Sequence, residues 1–102
     1  MNSRISNLYI GNPNPNGTPE NLAVAGSEVS LAALHIDTDY VLIDIQDNNV
    51  WVTFDNTTPS ASNGHLLVKE QGLIVLSKNA AKAAKFIQVS AAAVIQSTEF
   101  VD

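Results

Sequence analysis

The chain contains no cysteine. That absence excludes disulfide frameworks, thiolate zinc sites and thiol catalysis together. Charge is also scarce: charged residues make up 15% of the chain, with Lys and Arg supplying only five. A nucleic-acid binder needs a broad basic stripe to displace counterions from phosphates, and a net charge of −5 provides none. The same acidity disfavours adsorption to anionic lipid. Long apolar runs are missing as well. Leu73-Ile74-Val75-Leu76 is strand-length, far short of a membrane span. The first residues, MNSRISNLYIGNPNP, lack the basic region and apolar run of a signal peptide, so the expectation is a soluble protein made without a secretion signal.

What is present is 45% hydrophobic residues in 102, enough for one folded domain with a modest core. The remaining surface is rich in Asn, Ser and Thr. Such a surface can be covered by a partner without stranding ions, because burying an unpaired charge is costly.

Residues 40–68 set the architecture. Two dense hydrophobic runs flank the turn letters Asp47-Asn48-Asn49, and a second turn-rich segment leads to Asn63-Gly64. This grammar predicts a tight antiparallel meander. Val41, Ile43 and Ile45 share one face, with Tyr40, Leu42, Asp44 and Gln46 on the other. Val50, Val52 and Phe54 form the next inward set, opposed by Trp51, Thr53 and Asp55.

Further strands are expected at residues 29–36, where alternation starts at Val29, Leu31 and Ala33 and then blurs, and at 65–69, 73–76, 86–89 and 94–100. Ile5, Leu8 and Ile10 are read as one short strand. Asn79 is the expected cap of a helical turn over residues 80–84. About seven to nine short strands at roughly ten-residue spacing define an all-β chain, a small antiparallel β-sandwich with one helical turn. Residues 11–21, GNPNPNGTPEN, hold three prolines and no apolar residue. They read either as a solvated loop or as an extended N-terminal arm laid on a neighbouring subunit. The boundary is drawn as an arm at 1–21 and a sandwich at 22–102.

The chemistry-bearing residues are few. His35, Asp37, Asp39, Asp44 and Asp47 form an acidic cluster whose spacing fits no calcium loop, so they read as strand-end polar residues before a metal site. Asp55, Ser60, Ser62 and His65 lie in one turn-rich loop without a nucleophile elbow, where such side chains bond the backbone. No catalytic residue, cofactor or metal site is assigned, and an enzyme is not expected. Trp51, the single tryptophan, stands opposite the inward register and reads either as an outward contact residue or as packing at the core's rim. Asn16-Gly17-Thr18 and Asn56-Thr57-Thr58 match the glycosylation pattern; with no secretion signal expected, both are read as coincidental matches. Lys78, Lys82 and Lys85 read as a solvated helix face.

The segment VWVTFDNTTPSASNGHLL resembles a motif recurring in small virion proteins of tailed bacteriophages. There a V-x-V-T-F-D strand leads into G-S/T-x-P-S/T-x-S/T and a G-H pair, and a later K-F-I piece precedes a strand of small and β-branched residues. Residues 50–55, 57–62, Gly64-His65 and 84–87 carry the match, which extends over about residues 40–101. Asn56 stands where glycine is usual, and Asn is the next best residue for a positive φ.

The resemblance implies a virion structural protein, foremost a capsid cement or decoration protein on the outer shell. It would be assembled as a trimer and contact the major capsid protein. In that reading Tyr9, Ile10, Pro13 and Pro15 form a strap and Trp51 an apolar anchor. A head–tail connector or tail component is the first alternative. A looser similarity to β-sandwich modules attached to glycosidases implies the second, a carbohydrate-binding module.

Overall fold

The structure, a computed structural model, describes residues 14–101. Two antiparallel sheets face one another. The larger contains β1 (Asn14–Pro15), β2 (Glu20–Val24), β3 (Tyr40–Gln46), β6 (Ile74–Ser77) and β8 (Ala93–Val101). The smaller contains β4 (Val50–Thr53), β5 (His65–Leu67) and β7 (Lys85–Gln88), and a single helix, α1 (Lys78–Ala83), follows β6. The chain is the all-β sandwich its alternation predicts.

β8 is the spine of the larger sheet. One edge pairs with β3 from Tyr40↔Phe100 to Gln46↔Val94. The other edge carries β1 and β2 end to end, Asn14 opposite Val101 and Glu20 opposite Ser97. Pro15 is tolerated there because an edge strand need not donate from every amide. The boundary drawn after residue 21 therefore falls within β2. β6 closes the far side of β3.

The core follows from period-two alternation. Val41, Ile43 and Ile45 from β3 and Ile95 from β8 are fully buried against Val50 and Val52 from β4 and Phe86 from β7. Trimming Phe86 to alanine would cost about 3–5 kcal/mol.

Only the second half of the expected meander forms: β4 and β5 pair antiparallel, Val50 opposite Leu67 and Val52 opposite His65, but β3 and β4 do not pair. β3 and β4 follow one another across Asp47-Asn48-Asn49, yet they lie in different sheets. The connection is an arch over the end of the sandwich. Asp47 turns it with φ 75°. Asn48 Nδ2 then donates to Ala92 O at 2.8 Å, beside the larger sheet, while Asn49 O accepts from Val89 N at 3.2 Å and Asn49 Oδ1 from Lys69 N at 2.9 Å, beside the smaller one. Both runs present a wholly apolar face. Placing those faces opposite each other buries both, as stacked sheets do at about 10 Å separation.

Other expectations shift. Phe54 leaves the inward register because β4 ends at Thr53. Thr53 turns beneath the following loop, its hydroxyl donating to Thr57 O, and Phe54 stands 38% exposed. The predicted strand over 29–36 reduces to one bridge, Val29 with Phe86. Leu31 and Leu34 pack against the core, but Ile36 is 93% exposed. The helix is capped by Ser77, not Asn79: Ser77 Oγ accepts from Ala80 N at 3.1 Å, and Asn79 lies inside the first turn. Ala81 and Ala84 are buried, small enough to bring this stretch close to the core.

Candidate functional site

The stretch 30–38 has no regular backbone pairing, so side chains must hold it. Carboxylates do so. Glu20, on the inner face of β2, accepts the Ala32 amide at 3.1 Å. Glu99, on the inner face of β8, accepts the His35 amide at 2.9 Å and lies 3.0 Å from His35 Nδ1. The buried Thr38 hydroxyl donates to the same Glu99 oxygen. Asn16 Nδ2 joins in, 3.0 Å from both Asp37 Oδ1 and Thr38 Oγ1. Burial pushes the Glu99 carboxyl up, but the hydrogen bonds from Thr38 and His35 outweigh it and hold the group below its ordinary value. Glu28, next to Val29, is lowered first by the Thr58 hydroxyl and then by Lys85, whose ammonium is 2.9 Å away. The acidic residues thus act largely as clamps.

These clamps dissolve the acidic cluster. His35 turns to Glu99, Asp37 to Asn16, and Asp44 accepts from Gln46 Nε2 at 3.0 Å. No group of three His, Asp or Glu among the described residues is arranged to hold a metal ion. The loop over 54–64 is likewise self-contained. Asp55 Oδ1 accepts the Thr57 hydroxyl and amide, which lower its pKa. Asn63 Nδ2 donates to Thr57 Oγ1 and Thr58 O, both at 2.9 Å, and Ser60 faces Ser62. The His65 ring rests against Phe54, centroids 6.4 Å apart. The structure does not bring Asp55, a serine and His65 together in a hydrogen-bonded relay. The three lysines do not form one face either, because Lys85 sits in β7 and pairs with Glu28.

The broad, weakly charged surfaces are the outer sheet faces. On the larger sheet, register places Pro15, Phe100, Tyr40 and Ser77 in one row and Thr98, Leu42 and Val75 in the next. The Tyr40 and Phe100 rings stack, centroids 5.7 Å apart and 13° from parallel. On the smaller sheet Trp51 lies half-buried between Leu66 and Ile87, its partners on either side. Leu66 is 47% exposed, and Val68 and Val89 extend the apolar strip. Tyr9, Ile10 and Pro13 lie outside the described residues. Pro15 joins the Tyr40 row, and Trp51 lies on the opposite face.

Tyr40 was identifiable as outward from alternation alone. Phe100, Leu66 and Ile87 carried no signal of their own, because only register sets them beside Pro15 and Trp51. No helix among the described residues is long and apolar enough to cross a membrane. Comparison with known proteins finds no matching family model, no matching curated protein and no matching solved structure.

Proposed function

We propose that this chain is a structural protein of a tailed-phage virion, a cement or decoration protein that bridges major capsid subunits on the outer shell. One observation supports it above the others: a thin sandwich exposes two apolar, nearly uncharged faces on opposite sides, Tyr40–Phe100–Pro15 on one and Trp51–Leu66–Ile87 on the other. A bridging protein needs two contact surfaces held at a set distance by a rigid core. The resemblance of residues 50–65 to phage virion proteins points the same way.

Bridging works by multivalency. Each face binds weakly, and the first contact raises the effective concentration for the second. A chain that binds only the expanded shell stabilises that shell by linkage. One face is assigned to self-association as a trimer and the other to the capsid protein. The net acidity keeps the chain off the genome.

The test is to add the purified full-length chain to phage heads that lack it and to count bound copies by quantitative mass spectrometry and particle imaging. Many copies spread over the capsid lattice are expected. Copies confined to one vertex would assign the chain to the head–tail connection instead, and failure to co-sediment with heads would overturn the virion reading.

A further inference from the structure

We infer that the groove between residues 31–36 and α1 docks an extended segment of another protein in which apolar and acidic residues alternate. The groove, about 420 Å³, is floored by Leu31, Leu34 and Ala81, with Ile36 at its mouth and Lys78 and Lys82 on its rim. It lies apart from the two sheet faces, so the inference stands on the groove alone and goes beyond the bridging role.

Three features select the occupant. The first is apolar. Ile36 is 93% exposed, the most exposed large hydrophobic side chain among the described residues. It stands over a floor of leucine and alanine rather than on a flat polar surface, so an apolar side chain inserted there would be covered on several sides.

The second is charge. Lys78 and Lys82 are four residues apart on α1 and therefore project from the same side. Lys78 Nζ donates to Ile36 O, tying helix to loop. Lys85 is already paired with Glu28. Lys82 is exposed and has no hydrogen bond or ion pair among the described residues. In a chain of net charge −5, this cationic rim beside an apolar floor selects carboxylates.

The third is backbone. Glu20 and Glu99 take the amides of Ala32 and His35. The amides of Leu31, Ala33, Leu34 and Ile36 donate to no acceptor among the described residues. An incoming extended chain can take those that face the groove, as in recognition by strand addition, while alternate side chains enter it.

The chain's own residues 1–13, MNSRISNLYIGNP, include Arg4 but no carboxylate, so they lack the required charge. A nucleic acid would leave the apolar floor unused, and two lysines are too few for phosphate-driven affinity.

The experiment titrates the ¹⁵N-labelled full chain with an acetylated pentapeptide alternating aspartate with leucine, and with its lysine–leucine counterpart. The amide signals of Leu31, Ala33, Leu34, Ile36 and Ala81 should shift with the acidic peptide and not with the basic one. Lys82→Glu should weaken that binding about fivefold, the scale of one exposed ion pair lost and a repulsion gained. Lys82→Ala, milder for folding, should weaken it less, and the unperturbed signals of β3 and β8 would report an intact fold in both variants. No groove shift at millimolar peptide, an equal response to the basic peptide, shifts confined to another surface, or the same shifts produced by a short oligonucleotide would each overturn the inference.

Discussion

Glu99 Oε1 lies 3.0 Å from His35 Nδ1 and accepts the His35 amide at 2.9 Å, so one carboxylate oxygen on β8 pins a loop 64 residues earlier in the chain. The Thr38 hydroxyl donates to the same oxygen. The folded chain keeps Glu99 more acidic than its ordinary value of 4.5. The ionised form therefore stabilises the fold: the contribution is complete above that ordinary value and is lost as pH falls through the lower folded value. Glu99→Gln should lower stability at neutral pH by about 1–3 kcal/mol, since it weakens charge-assisted hydrogen bonds. It should also flatten the loss of stability on acidification. Thermal melts of both proteins across the acid range provide the check, and parallel pH profiles would refute the clamp.

Gly64 and Asn56 make opposite demands on the loop between β4 and β5. Gly64 has φ +116°, and a Cβ placed there would lie 2.4 Å from the Val52 carbonyl oxygen. Gly64→Ala should cost about 1–3 kcal/mol in backbone strain alone, before the clash with β4 is relieved. Asn56 has φ 70°, in the left-handed region that asparagine and glycine adopt most readily. Asn56→Gly should be neutral within about 0.5 kcal/mol, whereas Asn56→Val should cost about 1–2 kcal/mol. Urea denaturation of the three variants ranks them directly, and a destabilised Asn56→Gly would contradict this account.

The two outer faces should separate by function when each receives a charge. Leu66→Asp changes a half-exposed residue beside Trp51 and should leave stability within about 0.5 kcal/mol. Tyr40→Asp removes the stack on Phe100, a loss of about 0.5–1.5 kcal/mol. One substitution should reduce the mass seen by light scattering, and the other should reduce occupancy on phage heads with the oligomer intact. Wild-type mass and occupancy in both variants would remove the case for paired faces.

Truncation should distinguish the first residues from the edge strands. Removing residues 1–13 leaves every described strand in place. Removing 1–21 deletes β1 and the start of β2, exposing the edge of β8 from Gln96 onward. It also deletes the Asn16 bonds to Asp37 and Thr38 and the Glu20 bond to Ala32. Several lost hydrogen bonds at about 1 kcal/mol each make a loss of about 3 kcal/mol or more. Equal melting temperatures for the two truncated chains would show that β1 and Glu20 contribute nothing.

Alternation made much of this fold legible. In β3 the burial of Val41, Ile43 and Ile45 and the outward placement of Tyr40 and Leu42 could be read directly, because side chains in a strand point to opposite faces by covalent geometry. The left-handed turn at Asn56 was equally local. The helix start was legible only in part: Ser77 and Asn79 both suit a cap, and the ending of β6 at Ser77 decided between them. The candidate faces were less legible still. Trp51 stood out as the single tryptophan, but nothing local linked Pro15 to Phe100 or Leu66 to Trp51.

By itself, then, the order of residues determined the class of fold, the strand-rich segments, the apolar faces and the scarcity of reactive groups. Each of these depends on a residue and its near neighbours. Tertiary structure alone decided that the Asp47–Asn49 turn arches between sheets, that residues 30–38 are clamped by Glu20 and Glu99 instead of pairing as a strand, and that Tyr40, Phe100 and Pro15 share one row. Which strand lies beside which is set by burying all the apolar faces at once, and that minimum belongs to the whole core rather than to any stretch of chain.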